Sequence, residues 1–318
     1  MWVFALRRIA YAIPIAICVS IICFSLVYLA PGDPLASLIS ADASQADIDA
    51  LRHAYGLDRA APVQYLNWLL KVVSGDLGKS IQNGQPVLDA IGRALSNTLF
   101  VSLWASVIAF TCALSLGTLA AYRRGRMADR VATTLAIAGV SVPNYWFALV
   151  LVSIFAINLG ILPATGMGSR GSVGFSMFDW GQVKYAVLPI SAMTLVPFGV
   201  VMRSTRSAVA DVLSQEFVSA LRAKGLEERV ILRHVLRNAL PQSLAVMGLQ
   251  FGYLVGGSIL IETIFAWPGT GFLLGKAILA RDIPVVQGTV LVLALFFLAT
   301  NLAVDLLQTA IDPRIRRG

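Results

Sequence analysis

The sequence predicts an all-α polytopic membrane protein with six transmembrane helices, and three observations predict it. Of its 318 residues 57% are hydrophobic and only 13% charged, where a soluble domain would carry about a quarter charged. Mean hydropathy is +0.76. The charges are also unevenly placed. They bound six charge-free windows, 9–32, 94–122, 131–169, 185–202, 238–261 and 283–304, each of 18 residues or more, while the next longest, 263–275, has 13. A helix needs about 20 apolar residues to cross a bilayer. Disorder, collagen and a disulfide scaffold are excluded by the same composition. Cys18, Cys23 and Cys112 all fall inside apolar runs without CxxC spacing, and read as small hydrophobes.

Taken in order, the first span is 9–29, behind Arg7 and Arg8 and closed by Pro31-Gly32-Asp33-Pro34. Its apolar core is too long for a secretory signal and lacks a small-residue cleavage site, so it reads as uncleaved. Residues 30–93 form a long loop with five basic and seven acidic residues. Within it, Ser44-Gln45-Ala46-Asp47 reads as an N-cap leading into Ile48, Leu51 and Ala54, and 65–73 as a second short helix. The second, third and fourth spans are 99–121, 131–159 and 185–202, the last being short and holding Pro189 and Pro197. The fifth and sixth are 244–264 and 285–307. The chain therefore divides into 1–29 (N-terminus and first span), 30–93 (loop) and 94–318 (remaining spans), the last containing a long segment at 203–242.

Basic residues set the orientation. The N-terminus, 123–130, 203–237 and the tail with Arg314, Arg316 and Arg317 hold 16 of the 25 lysines and arginines. Positive charge stays on the cytoplasmic side, so both termini are placed there and 30–93 lies outside. The net charge of +8 is thus a topology signal, and a nucleic-acid partner is excluded.

No motif supports catalysis. Gly75-Asp76-Leu77-Gly78-Lys79-Ser80 resembles a phosphate-binding loop, but Val73 stands where its first glycine belongs and no strand precedes it. His53 and His234 fall on opposite sides of the membrane. Neither H-E-x-x-H nor G-x-S-x-G occurs, so no enzyme activity, cofactor or metal is expected. Ion-coupled carriers keep ionisable groups at membrane depth. Here the charge-free windows hold none, with Glu262 and Asp305 read as helix ends, which points to energy from a partner rather than a channel or secondary carrier.

Gly248, Gly252 and Gly256 repeat at four-residue spacing and put three small residues on one helical face, a close-packing signature. Asn144, Tyr145 and Trp146, with Gln250 and Ser258, are polar or amphipathic groups able to line a pathway or to bond between helices. The segment from Glu216 to Pro241 carries the most information. It reads as a short helix, a break at Gly225 allowing a left-handed turn, a basic amphipathic helix through Arg233 and Arg237, and Leu240-Pro241 ahead of the next span. Phe217, Ala220 and Leu221 recur at i, i+3 and i+4 and give the first helix an apolar face, with Arg222 and Lys224 beside it. Such a pair suits a groove in another protein or a membrane surface.

This segment resembles the EAA signature of the permease subunits of bacterial ABC importers, in the dipeptide, oligopeptide, nickel and glutathione branch. Ala220 and Gly225 form its core, with Leu240-Pro241 near its end. Ser219 and Leu221 depart from the general signature. The resemblance extends along the chain through Ala30-Pro31-Gly32-Asp33-Pro34, Tyr55-Gly56-Leu57-Asp58, Gly75-Asp76-Leu77-Gly78, Ser141-Val142-Pro143-Asn144-Tyr145-Trp146, Glu262-Thr263-Ile264-Phe265, Pro268-Gly269-Thr270-Gly271 and Arg281-Asp282-Ile283-Pro284. It implies a type I importer permease in a bacterial inner membrane, paired with a second, similar permease. Two cytoplasmic ATP-binding subunits would dock on Glu216, Phe217, Ala220, Leu221, Arg222, Lys224 and Gly225, and hydrolysis would occur there. A periplasmic or lipid-anchored binding protein would deliver substrate: peptides, with nickel, glutathione or opines as the alternatives.

Overall fold

The computed structural model describes residues 2–29, 58–168 and 179–311, with isolated positions between 44 and 53. Asp47, Ile48, Leu51 and Ala54 of the expected capped helix, the Ala30-Pro31-Gly32-Asp33-Pro34 and Tyr55-Gly56-Leu57 motifs and the arginine tail lie outside them. Every named element among the described residues is helical.

Helix α1 spans Trp2–Leu29, and the long apolar α11, Ile283–Ile311, runs antiparallel beside it. Two polar contacts fix their register. Arg8 meets Asp305 at 2.8 Å at one end. Near the other, the Gln287 amide donates to the Cys23 and Phe24 carbonyls at 3.1 and 3.3 Å. We call these the basic end and the far end. Helix α2, Ala61–Val73, packs on α1, and a turn closed by the Lys79–Pro86 bridge leads into α3.

The centre is a pair, α3 (Val87–Tyr122) against α6 (Trp180–Leu213), flanked by α4 (Met127–Ser141), α5 (Asn144–Leu151) and α8 (Glu228–Gly257). Lipid offers no hydrophobic drive between helices, so close contact needs small side chains. The buried face of α3 is accordingly Ala94, Thr98, Ala105, Ala109, Ala113 and Ala120, and α6 answers with Ala186, Ala192 and Ala208. Among the described residues three helices are long and apolar enough to cross a membrane alone: Val87–Tyr122, Trp180–Leu213 and Ile283–Thr309.

Four expectations change. The third span is two helices bent by 99° at Val142-Pro143. Val142 is extended (φ −81°, ψ 124°), as the residue before a proline prefers. Beyond α5 the chain widens into a π-helical turn, Val152–Asn158. The fourth span is no short segment but 34 residues with both prolines inside, held by α3 on one side and α8 on the other. The segment 203–242 holds the expected helix, Gly225 break and second helix, but it is not set apart from the spans: it begins as the end of α6, continues as α7 (Glu216–Ala223), and ends in α8, which runs unbroken past Pro241 into the fifth span. That span then breaks at Ser258, and α9 (Ile259–Ile264) turns into α10 (Thr270–Leu279).

Candidate functional site

At the basic end, α7 is bounded by Gln215 and by Gly225, whose φ of +75° a side chain would strain. The Gly225 N–H donates to the Arg222 carbonyl at 2.9 Å and the Leu226 N–H to Leu221 at 3.3 Å. This is a Schellman end, with Leu226 packed over Leu221. Val218 is fully buried; Phe217 and Leu221 are half-buried against Ala121, Val209, Val212, Ile231 and Val235. The apolar face expected to enter a partner is thus divided. Phe217 and Leu221 seat α7 on its own chain, because α3, α6 and α8 converge there and offer the nearer apolar surface. Ala220 stays exposed, in a strip with Glu216, Ser219 and Ala223. Arg222 is not free: its Nε donates to Glu228 Oε1 at 3.1 Å across the turn. Lys224 is exposed, and Leu240 and Pro241 are half-buried along α8.

Beside α7, Asp129 is buried and accepts both Arg206 Nε and Nη2 at 2.5 and 2.9 Å, with the Gly125 N–H at 2.9 Å. The bidentate pair ties the α3–α4 turn to α6. Nothing in the charge pattern of 123–130 and 203–206 distinguishes this pair from the surrounding topology charges.

The residues singled out for a pathway are partly brought together. Asn144 and Ser258 share one small cavity with Met193, Pro197, Tyr253 and Leu254, so the bend at Pro143 and the break at Ser258 meet at one place. Tyr145 and Trp146 are exposed beside it, at the start of α5. Gln250 is elsewhere, and its Oε1 is buried without a hydrogen-bond partner. Of the three glycines, two permit close approach. A Cβ on Gly248 would sit 2.3 Å from Val304 and one on Gly252 2.8 Å from Phe297, both on α11, whereas Gly256 faces open space.

Glu262 is the residue that sequence reasoning missed. Read as a helix end, it is 1% exposed and accepts four hydrogen bonds. The donors are Thr98 Oγ1 (2.7 Å), Ser258 Oγ (2.9 Å) and the Gly271 and Phe272 N–H groups (2.7 and 3.2 Å) at the start of α10. One carboxylate thereby joins α3, the helix break and α10. Trp267 Nε1 donates to the Asn97 carbonyl at 3.1 Å and Asn97 Nδ2 to Pro268 at 2.9 Å on the same seam. A second carboxylate, Asp282, accepts from Ser80 and from the Ile81 N–H at 3.2 Å. In sequence Glu262 is a lone acid four residues after Ser258 and seven before Gly269, the N-cap of α10.

The geometry is that of a helical, apolar core with an exposed small-residue strip at one end and a hydrogen-bonded seam at the other. Residues 113–317 match the family described as binding-protein-dependent transport system inner membrane component, and residues 1–104 match its N-terminal counterpart. The chain belongs to this family. A Brucella abortus (strain 2308) protein provisionally named as a peptide transport system permease is 41% identical over 312 residues, 98% of each chain. The dipeptide transport system permease of Alkalihalophilus pseudofirmus is 36% identical over 332 residues, covering 99% of this chain and all of that one. The glutathione transport system permease of Salmonella choleraesuis is 38% identical over 315 residues, 98% of each. Among solved structures, the MetNI methionine ABC transporter in an inward-facing conformation aligns at TM-score 0.56 and 19% identity, over 70% of this chain and 96% of that one. That likeness gives the fold alone. The permease is the transport component of an ABC importer in a cell membrane, a family that works with ATPase and substrate-binding partners.

Proposed function

We propose that this permease, with a second, similar one, forms the path by which peptides enter the cytoplasm, driven by two ATP-binding subunits beneath. The basic end is cytoplasmic in this reading, with both termini there. The far end, with residues 30–93, receives a periplasmic or lipid-anchored binding protein. Peptide rather than nickel or opine cargo follows the names of the relatives. Glutathione is itself a small peptide.

One observation carries the reading: α7 is two-sided. Its apolar side is fused to α3, α6 and α8, and its small-residue strip of Ser219, Ala220 and Ala223 faces outward. An ATPase that gripped this strip would pull on helices α6 and α8, which run from α7 to Pro197 and Ser258, the walls of the cavity at the two helix breaks. Alternating access then needs no chemistry in this chain.

The test is Ala220→Arg in the transporter purified with its partners and reconstituted in vesicles. A long charge on the outward strip leaves the inward packing untouched. Uptake and transport-coupled ATP hydrolysis are expected to fall at least tenfold with normal abundance of the chain. Uptake unchanged with ATPase bound would exclude α7 as the docking element. Cysteine labelling at Asn83 from outside, and at Ala128 and Ser214 only after permeabilisation, checks the orientation.

A further inference from the structure

Helix α2 has three sides, and among the described residues one of them packs on α1. At about 100° per residue, Tyr65, Trp68, Leu69 and Val72 share a half-buried side. Tyr65 Oη lies 2.8 Å from Ser20 Oγ of α1, and the rings of Tyr65 and Trp68 are 5.5 and 5.8 Å from that of Phe24. About a third of a turn away, Val63, Leu66, Leu70 and Val73 form an apolar stripe, 44–79% exposed. The remaining third carries Gln64, Asn67 and Lys71. A helix on a water-exposed loop has no reason to hold four bare aliphatic side chains in one line.

The depth of α2 follows from α1. The Arg8–Asp305 pair marks the basic edge of the apolar layer. Ser20 stands about 18 Å above it at about 1.5 Å per residue, within a layer about 30 Å thick. The Tyr65 hydroxyl therefore reaches about 12 Å below the far edge by the same spacings. A tyrosine side chain is shorter than that, so the α2 backbone itself sits below the edge. With α1 at its flank, the aliphatic and polar stripes divide the rest of the helix, as they do in an interfacial amphipathic helix.

We propose that α2 is an in-plane helix of the far leaflet whose Val63, Leu66, Leu70 and Val73 are covered by lipid acyl chains, with Asn67 and Lys71 turned to the headgroups. This goes beyond the transport reading but rests on α1 being a span. It assigns part of the long loop to the bilayer, so a soluble binding protein docks on what remains above it.

The test uses the complete transporter in phosphatidylethanolamine–phosphatidylglycerol vesicles, with Cys18, Cys23 and Cys112 replaced by alanine and single nitroxide labels introduced. Leu66→Cys and Leu70→Cys are compared with Asn67→Cys and Lys71→Cys, with Val63→Cys replacing either apolar site if its variant does not assemble. Collision with oxygen, enriched in the apolar layer, is expected to exceed collision with a water-soluble nickel chelate at least fivefold more at 66 and 70 than at 67 and 71. Nickel access at 66 and 70 equal to that at 67 would overturn the proposal and make the stripe an aqueous docking face. Exclusion of both reagents would overturn it in favour of cover by a partner protein. A label at Ile22, exposed on α1, separates the premises: nickel access there would mean that α1 does not span.

Discussion

Helix α7 and helix α10 are joined to the rest of the molecule by different forces. The seat of α7 itself is aliphatic and aromatic, Val218, Phe217 and Leu221 on Val209, Ile231 and Val235, with the buried Asp129–Arg206 pair nearby tying α4 to α6. At the far end buried carboxylates hold the joints, Glu262 on α10 and Asp282 on the Ser80 turn. Apolar contacts are non-directional and tolerate small shifts. A carboxylate gripping two backbone N–H groups and two hydroxyls is directional and has one good geometry. The seat of α7 is therefore the less directional joint of the two, and the Glu262 joint of α10 the more directional one.

The sharpest way to break this contrast is Glu262→Ala. It takes the acceptor from the Gly271 and Phe272 N–H groups and leaves Thr98 and Ser258 only their weaker contacts to Thr270 and the Val255 carbonyl, and an orphaned buried donor costs about 1–3 kcal/mol. The expected result is a large fall in thermal midpoint and in membrane abundance, with Glu262→Gln, which keeps one acceptor oxygen, intermediate. A stable Glu262→Ala permease would show that the seam is not what holds α10. Gly252→Leu comes next: overpacking against Phe297 should cost about 1–3 kcal/mol and be read as weaker chain recovery in detergent. Gly225→Val places a β-branched residue at positive φ, at about 1–2 kcal/mol. It should lower uptake more than abundance, since α7 alone depends on that turn. The smallest effect is Arg222→Ala. An exposed pair is worth about 0–1 kcal/mol, so uptake within twofold of wild type is expected, and a severe loss would mean that charge rather than shape engages the partner.

Much of the fold could be read from charge-free windows, because a bilayer forbids charge over a fixed length. The windows erred where helices outrun the membrane. Arg203 and Arg206 end a window but not a helix, since Arg206 has Asp129 beside it and α6 continues to Leu213. Prolines had unequal effects: Pro189 and Pro197 lie within a helix as expected, whereas Pro143 bends its span by 99° and Pro241 sits inside a continuous helix. What separates them is tertiary: whether neighbouring helices support the freed backbone groups. The α7 site was legible as a helix, a glycine turn and a helix. Which of its apolar residues faced inward was not, because that depends on where α3 ends in space. Glu262 stayed hidden because a carboxylate six residues from a glycine-proline turn reads as solvated until Thr98, 164 positions away, is seen to donate to it.

The unbroken course of α8 has a mechanical consequence. From Glu228 to Gly257 it is a rod about 45 Å long, and at Gly248 and Gly252 it packs directly against the Val304 and Phe297 side chains of α11. That crossing is a fulcrum. The arm toward α7 measures about 33 Å and the arm toward Ser258 about 12 Å. A rod turning there works as a reducing lever, so about 3 Å of travel at the α7 end becomes about 1 Å at the break, with the force multiplied in the same ratio. Side-chain hydrogen bonds such as those of Glu262 let go over about that distance, and a large, soft stroke at one end becomes a short, strong one at the other.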